Sequence, residues 1–119
     1  MDLNFLLQSQ ITLIIVLCGV LFLAAGLAAY FNPPKKINGL YGYRTEKSMK
    51  SQERWDFAQI YAAKKMILSG IILCIIGLPA AFVSMSENLQ TVVGLSLLFS
   101  SCIYLFTSTE KAITQKFED

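Results

Sequence analysis

Histidine is absent from this chain of 119 residues. Its absence removes the commonest general base near neutral pH and the commonest protein ligand for metal ions. Catalytic triads and zinc sites that depend on histidine are therefore excluded. The chain also lacks the GxSxG, phosphate-loop, HExxH and GxGxxG patterns. We therefore expect a protein that is not an enzyme and holds neither a metal ion nor a cofactor.

Charged residues are scarce as well. They make up 15% of the chain, whereas hydrophobic residues make up 55%, against about 25% and 45–50% in typical soluble domains. This composition is typical of a membrane protein. The formal net charge of +2 is too small to indicate a nucleic-acid partner.

The cysteines do not form a recognisable site. Cys18, Cys74 and Cys102 are odd in number, have no CxxC spacing and lie in three different apolar runs. Three thiolates gathered in the middle of a membrane would be costly to desolvate. The cysteines are therefore interpreted as small apolar residues.

Three uncharged runs predict three membrane-spanning helices at residues 11–31, 66–83 and 89–107. About 20 helical residues, at ~1.5 Å each, cross a hydrocarbon layer of ~30 Å. A cleaved signal peptide is the alternative for the first run, but the start of the chain lacks a basic segment and the apolar core is too long. The sequence thus predicts an all-α fold: one domain, residues 1–119, forming an integral membrane bundle.

The second helix is predicted to begin well before its apolar run. Ser51 suits a helix N-cap, and neither proline nor glycine occurs in residues 52–69. The helix should therefore extend from the water into the membrane and end near Pro79. Trp55 and Tyr61, near its start, are interpreted as anchors at the membrane interface.

Glycines recur seven residues apart in the first two spans, at Gly19 and Gly26 and at Gly70 and Gly77. Residues seven apart lie on one face of a helix. In lipid, such small residues let helix backbones approach closely. We expect the first two helices to pack along these faces.

The candidate functional site is a polar island at residues 38–55. Gly39 and Gly42 permit a tight turn with positive φ, and Arg44 can form paired hydrogen bonds with a phosphate or a carboxylate. The residues that could bind a ligand or partner are Asn38, Tyr41, Gly42, Tyr43, Arg44, Thr45, Ser48, Trp55 and Gln59.

A structural role is the alternative for the island. Asn38 and Arg44 could cap the open carbonyls at the end of the first span, and Arg44 could pair with Glu53 or Asp56. Gln59 and Asp56 could point with Trp55 from the long helix toward the loop, and the alternative is that they lie on an exposed helix face. The two roles are compatible, since a fixed loop is also a preorganised one.

The island resembles the SdpI family of small bacterial membrane proteins, named for immunity to a secreted toxin peptide that delays sporulation. The family pattern Asn, Gly-x-Arg-Thr, Ser, Ser, Trp is matched by Asn38, Gly42, Arg44, Thr45, Ser48, Ser51 and Trp55. The resemblance implies a membrane protein with a role in immunity or toxin resistance.

Two functional hypotheses follow. The first is a protein that protects against a membrane-active toxin peptide by binding it or by shielding its target. The second, in the transport or enzyme class, is a protein that binds a lipid phosphate or another anion through the Arg44 loop. The expected partners are the lipid bilayer, a toxin peptide or another membrane protein, and a further copy of the chain.

The basic residues predict the orientation. Eight lie between the first two spans, whereas the N-terminal segment and the second loop have none. By the positive-inside rule, the N-terminus then faces outward, and the island and the C-terminus face the cytoplasm across the inner, cytoplasmic membrane. The eight residues are Lys35, Lys36, Arg44, Lys47, Lys50, Arg54, Lys64 and Lys65.

This orientation predicts a labelling difference in intact cells. An impermeant thiol reagent should label a cysteine at Glu87, in the second loop, but not one at Lys47, in the island. The reverse pattern, with Lys47→Cys labelled and Glu87→Cys protected, would show that the orientation is inverted.

Overall fold

Three α-helices make up most of the protein in a computed structural model, which describes residue 4 and residues 8–118. Helix α1 spans Gln10–Phe31, α2 spans Gln52–Ala80 and α3 spans Glu87–Phe117, and the described residues contain no strand. Each helix is long and apolar enough to cross a membrane. The predicted all-α bundle is thereby confirmed. The N-terminal residues on which the signal-peptide argument rests lie almost wholly outside the described residues.

The helix ends follow local rules. The Ser51 hydroxyl accepts a hydrogen bond from the Arg54 amide at 3.2 Å, which confirms the predicted N-cap of α2. Helix α2 ends at Ala80, one residue after Pro79. Its 29 residues span ~44 Å at ~1.5 Å each, which exceeds the ~30 Å hydrocarbon layer. The first turns of α2 therefore extend beyond the membrane interior, as predicted.

Helices α1 and α2 pack closely along their glycines. A Cβ atom at Gly70 would lie 2.6 Å from the Leu23 amide nitrogen and 2.7 Å from the Gly19 carbonyl oxygen. At Gly77 it would lie 2.7 Å from a Val16 methyl group. Only hydrogen atoms fit at such distances. The predicted close-packing faces are therefore confirmed as the α1–α2 contact.

Helix α3 joins this pair mainly near its two ends. Its buried residues are Gly94, Thr109 and Ile113, so the stretch between Gly94 and Thr109 is largely exposed on the outside of the bundle. Near the α2–α3 connection, Ile11, Ile15 and Leu73 form a buried apolar cluster against which α3 side chains pack. An exposed apolar helix surface is expected in a bundle that faces lipid.

Gly70→Ala should destabilise the bundle by about 1–3 kcal/mol, because the added methyl group would meet the backbone of α1 and force the helices apart. The thermal midpoint in detergent measures the effect. Gly39→Ala is the control, since nothing lies within 4 Å of a Cβ atom placed there. Equal midpoints for the two variants would contradict the close contact.

Candidate functional site

Residues 32–51, here called the basic loop, connect α1 to α2. The loop contains five basic residues and a single acidic residue, Glu46. It has no extended regular structure, so its backbone polar groups need partners other than a helical ladder. Side chains of the loop and of α2 and α3 provide many of these partners.

Trp55 fixes the start of the basic loop. Its side chain is fully buried, and its indole nitrogen donates a hydrogen bond to the Pro34 carbonyl oxygen at 2.6 Å. The interpretation of Trp55 as an interface anchor was wrong, because the ring is enclosed by protein and its polar group serves the chain just after α1. Trp55 supports the loop and has no surface to offer a ligand.

Gln59 holds the middle of the loop with both ends of its amide. The Tyr43 amide nitrogen donates to Gln59 Oε1 at 2.7 Å, and Gln59 Nε2 donates to the Tyr43 carbonyl oxygen at 2.8 Å. Gln59 is 3% exposed. The side chain thus pairs with the loop backbone as a neighbouring strand would, which confirms the prediction that it points toward the loop.

Gly42 makes this pairing possible. Its φ of +107° lies in the region that favours glycine, and a Cβ atom there would lie 2.8 Å from Gln59 Oε1 and 2.8 Å from Pro34 Cγ. Gly39, by contrast, does not adopt positive φ. The predicted left-handed turn is therefore present at Gly42 alone of the two glycines.

Thr45 and Ser48 close a single helical turn inside the loop. The Thr45 amide donates to Ser48 Oγ at 2.8 Å, and the Ser48 amide donates to Thr45 Oγ1 at 3.2 Å. The Ser48 hydroxyl is fully buried, 3.1 Å from the carbonyl oxygens of Tyr43 and Thr45. This reciprocal pairing resembles a capping box. Ser48 therefore shapes the loop from within.

Tyr43 ties the loop to α3. Its hydroxyl donates to Glu110 Oε1 at 2.7 Å and also lies 3.3 Å from the Phe106 carbonyl oxygen. Burial, then the hydrogen bond to Glu110 and the charge of that carboxylate, raise the pKa of Tyr43 well above its ordinary value of 10.0. The phenol thus stays protonated near neutral pH and remains a donor. Lys47 strengthens the same link by donating to Thr114 Oγ1.

Asn38, Tyr41 and Arg44 order the outer part of the loop. Asn38 Oδ1 accepts from the amides of Leu40 and Tyr41 at 2.9 and 2.8 Å, and the Tyr41 hydroxyl donates to the Asn32 carbonyl oxygen at 3.1 Å. Arg44 Nη1 donates to the Gly39 carbonyl oxygen.

The contacts predicted for a purely structural role of the island were therefore wrong. Tyr41, rather than Asn38 or Arg44, caps the Asn32 carbonyl at the end of α1. Arg44 donates within the loop to Gly39, whereas Asp56 accepts from Gln52 at 2.8 Å. Loop and helix are still held together, but by Trp55 and Gln59 in place of an ion pair.

The nine predicted site residues fall into three groups by burial. Ser48, Trp55 and Gln59 are buried and support the loop, whereas Asn38, Tyr43 and Thr45 are half-buried. Tyr41, Gly42 and Arg44 are exposed and form the accessible part of the site.

A cavity of about 530 Å³ lies beneath the loop, between the three helices. Its size is in the range of ligand pockets. Five of its twelve lining residues are alanines, and the loop covers its polar end. Its lining residues are Ala25, Ala28, Ala29, Asn32, Tyr41, Gly42, Tyr43, Gln59, Ala62, Ala63, Met66 and Leu105.

Sequence reasoning missed the contribution of α3. Glu110 and Thr114 each bond a loop residue that is 67 positions away, and no local pattern marks a pair so far apart. Sequence reasoning also missed the regular spacing of the alanines that line the cavity. Ala25, Ala28 and Ala29 on α1 and Ala62 and Ala63 on α2 recur at helical spacing, which was a readable signal.

Comparisons with known proteins agree with this architecture. The family model described as the SdpI/YfhL protein family matches residues 35–108. A protein of Bacillus subtilis (strain 168), named "Uncharacterized protein YfhL", is 40% identical over 95 residues, which cover 80% of this chain and 81% of that protein. No solved structure matches the chain significantly.

Gln59→Leu should release the basic loop. The variant keeps the bulk of the side chain but leaves the Tyr43 amide without its partner and the Tyr43 carbonyl with the Ser48 hydroxyl alone, at a cost of about 1–3 kcal/mol. We expect a lower thermal midpoint in detergent and faster tryptic cleavage after Arg44 and Lys47. Gln115→Leu is the control, since Gln115 is exposed near the end of α3. A cleavage rate equal to that of the control would show that Gln59 does not hold the loop.

Proposed function

Because the chain belongs to the SdpI/YfhL protein family, we propose that it confers resistance to a membrane-active toxin peptide, by binding the peptide or by shielding its target. The matched residues 35–108 include most of the basic loop, all of α2 and most of α3. The support therefore comes from the part of the chain that contains the candidate site.

The observation that carries the proposal is the preorganised loop. Three buried side chains form hydrogen bonds with the loop backbone through their polar groups: Ser48, Trp55 and Gln59. Arg44 and Tyr41 are left exposed on its surface. A surface fixed in this way binds a partner with little loss of conformational freedom.

The side chains of the candidate site are better suited to binding a partner than to catalysis. The Ser48 hydroxyl is enclosed and bonded within the loop, and the raised pKa of Tyr43 means that the phenolate needed for a general base does not form near neutral pH. The chain has no histidine that could activate either hydroxyl. We therefore propose that the protein is not an enzyme.

The positive-inside rule places the basic loop at the cytoplasmic surface of the inner membrane in this proposal. A peptide arriving from outside would meet the loop only after inserting across the bilayer. The same position suits contact with another membrane protein that the toxin attacks. In both cases the protective step takes place at the inner leaflet.

An anion-binding role is the second candidate, and the exposed guanidinium of Arg44 favours it. The hydrogen bond to Gly39 uses one of the five N–H donors of that group. The others can meet a phosphate or a carboxylate at the surface of the loop. This chemistry also suits a toxin peptide that carries a carboxylate.

The proposal predicts that the chain protects a sensitive bacterium against secreted membrane-active peptides of neighbouring strains. Arg44→Lys should lose most of the protection while the protein stays folded, because lysine keeps the charge but cannot form two parallel hydrogen bonds. Lys36→Ala, which removes an exposed charge from the same loop, is the control and should protect fully. Survival curves measure protection, and membrane abundance and thermal midpoint measure folding.

Two outcomes would contradict the proposal. If cells that contain the wild-type chain in their membranes die at the same rate as cells without it, for every peptide, the protein does not protect. If Arg44→Lys protects fully, the paired hydrogen bonds are unnecessary and Arg44 acts as one of several positive charges. Early melting of Arg44→Lys would instead assign the residue to the stability of the loop.

A further inference from the structure

The cavity beneath the basic loop has a distinct polar end and a distinct apolar end. At the polar end lie Asn32, Tyr41, Tyr43 and Gln59; the side chains of the last three and the backbone carbonyl of Asn32 already bond within the protein. Toward the membrane the walls are the side chains of alanine, methionine and leucine. The deeper part therefore offers neither a donor nor an acceptor to a polar ligand.

The cavity is open toward the surrounding lipid. Ala62 and Ala63 form its buried wall on α2, whereas Ala25 and Ala28 on α1 are exposed. The opening thus lies along the exposed alanines of α1, and Leu105 is the lining residue from α3. A molecule in the bilayer can enter from the side without passing the loop.

We propose that this cavity binds one hydrocarbon chain of an anionic phospholipid, with its phosphate at the basic loop. Its volume of about 530 Å³ is many times the ~30 Å³ that one water molecule occupies in the liquid, so it holds an extended chain segment of many carbons. Helix α1 has 22 residues and is ~33 Å long at ~1.5 Å each, enough to cross a ~30 Å hydrocarbon layer, so the basic loop that follows it lies at the edge of that layer. A lipid whose chain lies below the loop therefore has its headgroup beside it.

Charge complementarity selects an anionic headgroup. The basic loop has four more positive than negative charges: five basic residues less Glu46. Arg44 is exposed there, and its guanidinium geometry suits a phosphate. The same charge disfavours a second copy of the chain in parallel orientation, since the two basic loops would face each other at one end of the membrane.

This lipid site stands independently of the toxin-resistance proposal. It depends on the cavity and the loop charge alone. A protein that protects no cell can still bind the lipid, and a protective protein can lack it. The two proposals are therefore tested by different measurements.

The test is lipid retention by the full-length protein, purified in detergent with added phosphatidylglycerol or phosphatidylcholine of identical chains. Native mass spectrometry counts the lipids bound to each molecule. We expect one retained phosphatidylglycerol per chain and about tenfold weaker retention of phosphatidylcholine. Ala28→Phe, which places a ring in the mouth of the cavity, should weaken phosphatidylglycerol retention by about tenfold or more. Arg44→Gln should weaken phosphatidylglycerol retention more than phosphatidylcholine retention and so reduce the preference, because both lipids carry the phosphate but only phosphatidylglycerol has a net negative headgroup.

Ala24→Phe is the matched control, because Ala24 is exposed on α1 and does not line the cavity. It should retain lipid as the wild type does. If Ala28→Phe fails to fold, as judged by its thermal midpoint, Ala25→Leu obstructs the cavity with a smaller side chain.

Trp55 is the single tryptophan and lies one turn from Gln59. Its fluorescence should be quenched by brominated phospholipid chains in the wild type and less in Ala25→Leu.

Three results would overturn the proposal. Equal retention by folded Ala28→Phe and wild type would show that lipid binds elsewhere. Equal retention of the two phospholipids by the wild type would refute the role of the loop charge. The wild type could instead form a dimer that becomes a monomer in Ala28→Phe, while neither protein retains lipid. That result would show that the cavity is a contact between two copies of the chain.

Discussion

The structure depends on how an irregular loop at a membrane surface satisfies its backbone. A helix pairs its own amides and carbonyls, but residues 32–51 cannot, and an unpaired polar group in an apolar environment costs free energy. Two side chains of α2 meet much of this need: Trp55 at the Pro34 carbonyl and Gln59 at both backbone groups of Tyr43. These contacts require α2 to extend beyond the membrane interior. The order of the loop thus depends on the length of α2.

The packing of the helices explains where the cavity lies. Glycines bring the backbones of α1 and α2 together around Gly19 and Gly70, and further along toward the loop the same two helices present alanines. Helix α3 touches the pair near Gly94 and again at Thr109 and Ile113. Small side chains on two helices and a gap in the contacts of the third leave an unfilled space directly under the loop.

The sequence predicted the parts of this arrangement that depend on local chemistry. The uncharged runs, the Ser51 cap, the stop at Pro79 and the glycine faces all follow from single residues or from helical spacing, and the structure contains each of them. It could not predict which side chains cross between elements. Trp55 was assigned to the interface because an aromatic residue near a membrane edge usually lies there, and only the fold shows that the Pro34 carbonyl is its partner. Glu110 gave no signal, since its contact with Tyr43 depends on the register of α3 against the loop.

The link between Tyr43 and Glu110 connects these features. Tyr43 is held by Gln59 of α2 through its backbone and by Glu110 of α3 through its hydroxyl, and its side chain also lines the cavity. Burial and the neighbouring Glu110 carboxylate raise the pKa of Tyr43 above its ordinary value, so its hydroxyl is a hydrogen-bond donor to that carboxylate. A movement of α3 away from α1 would widen the cavity and pull on the same tyrosine that Gln59 holds in the loop. The residue next to Arg44 in the loop is therefore also a wall of the apolar space beneath it, and its position is fixed from both α2 and α3.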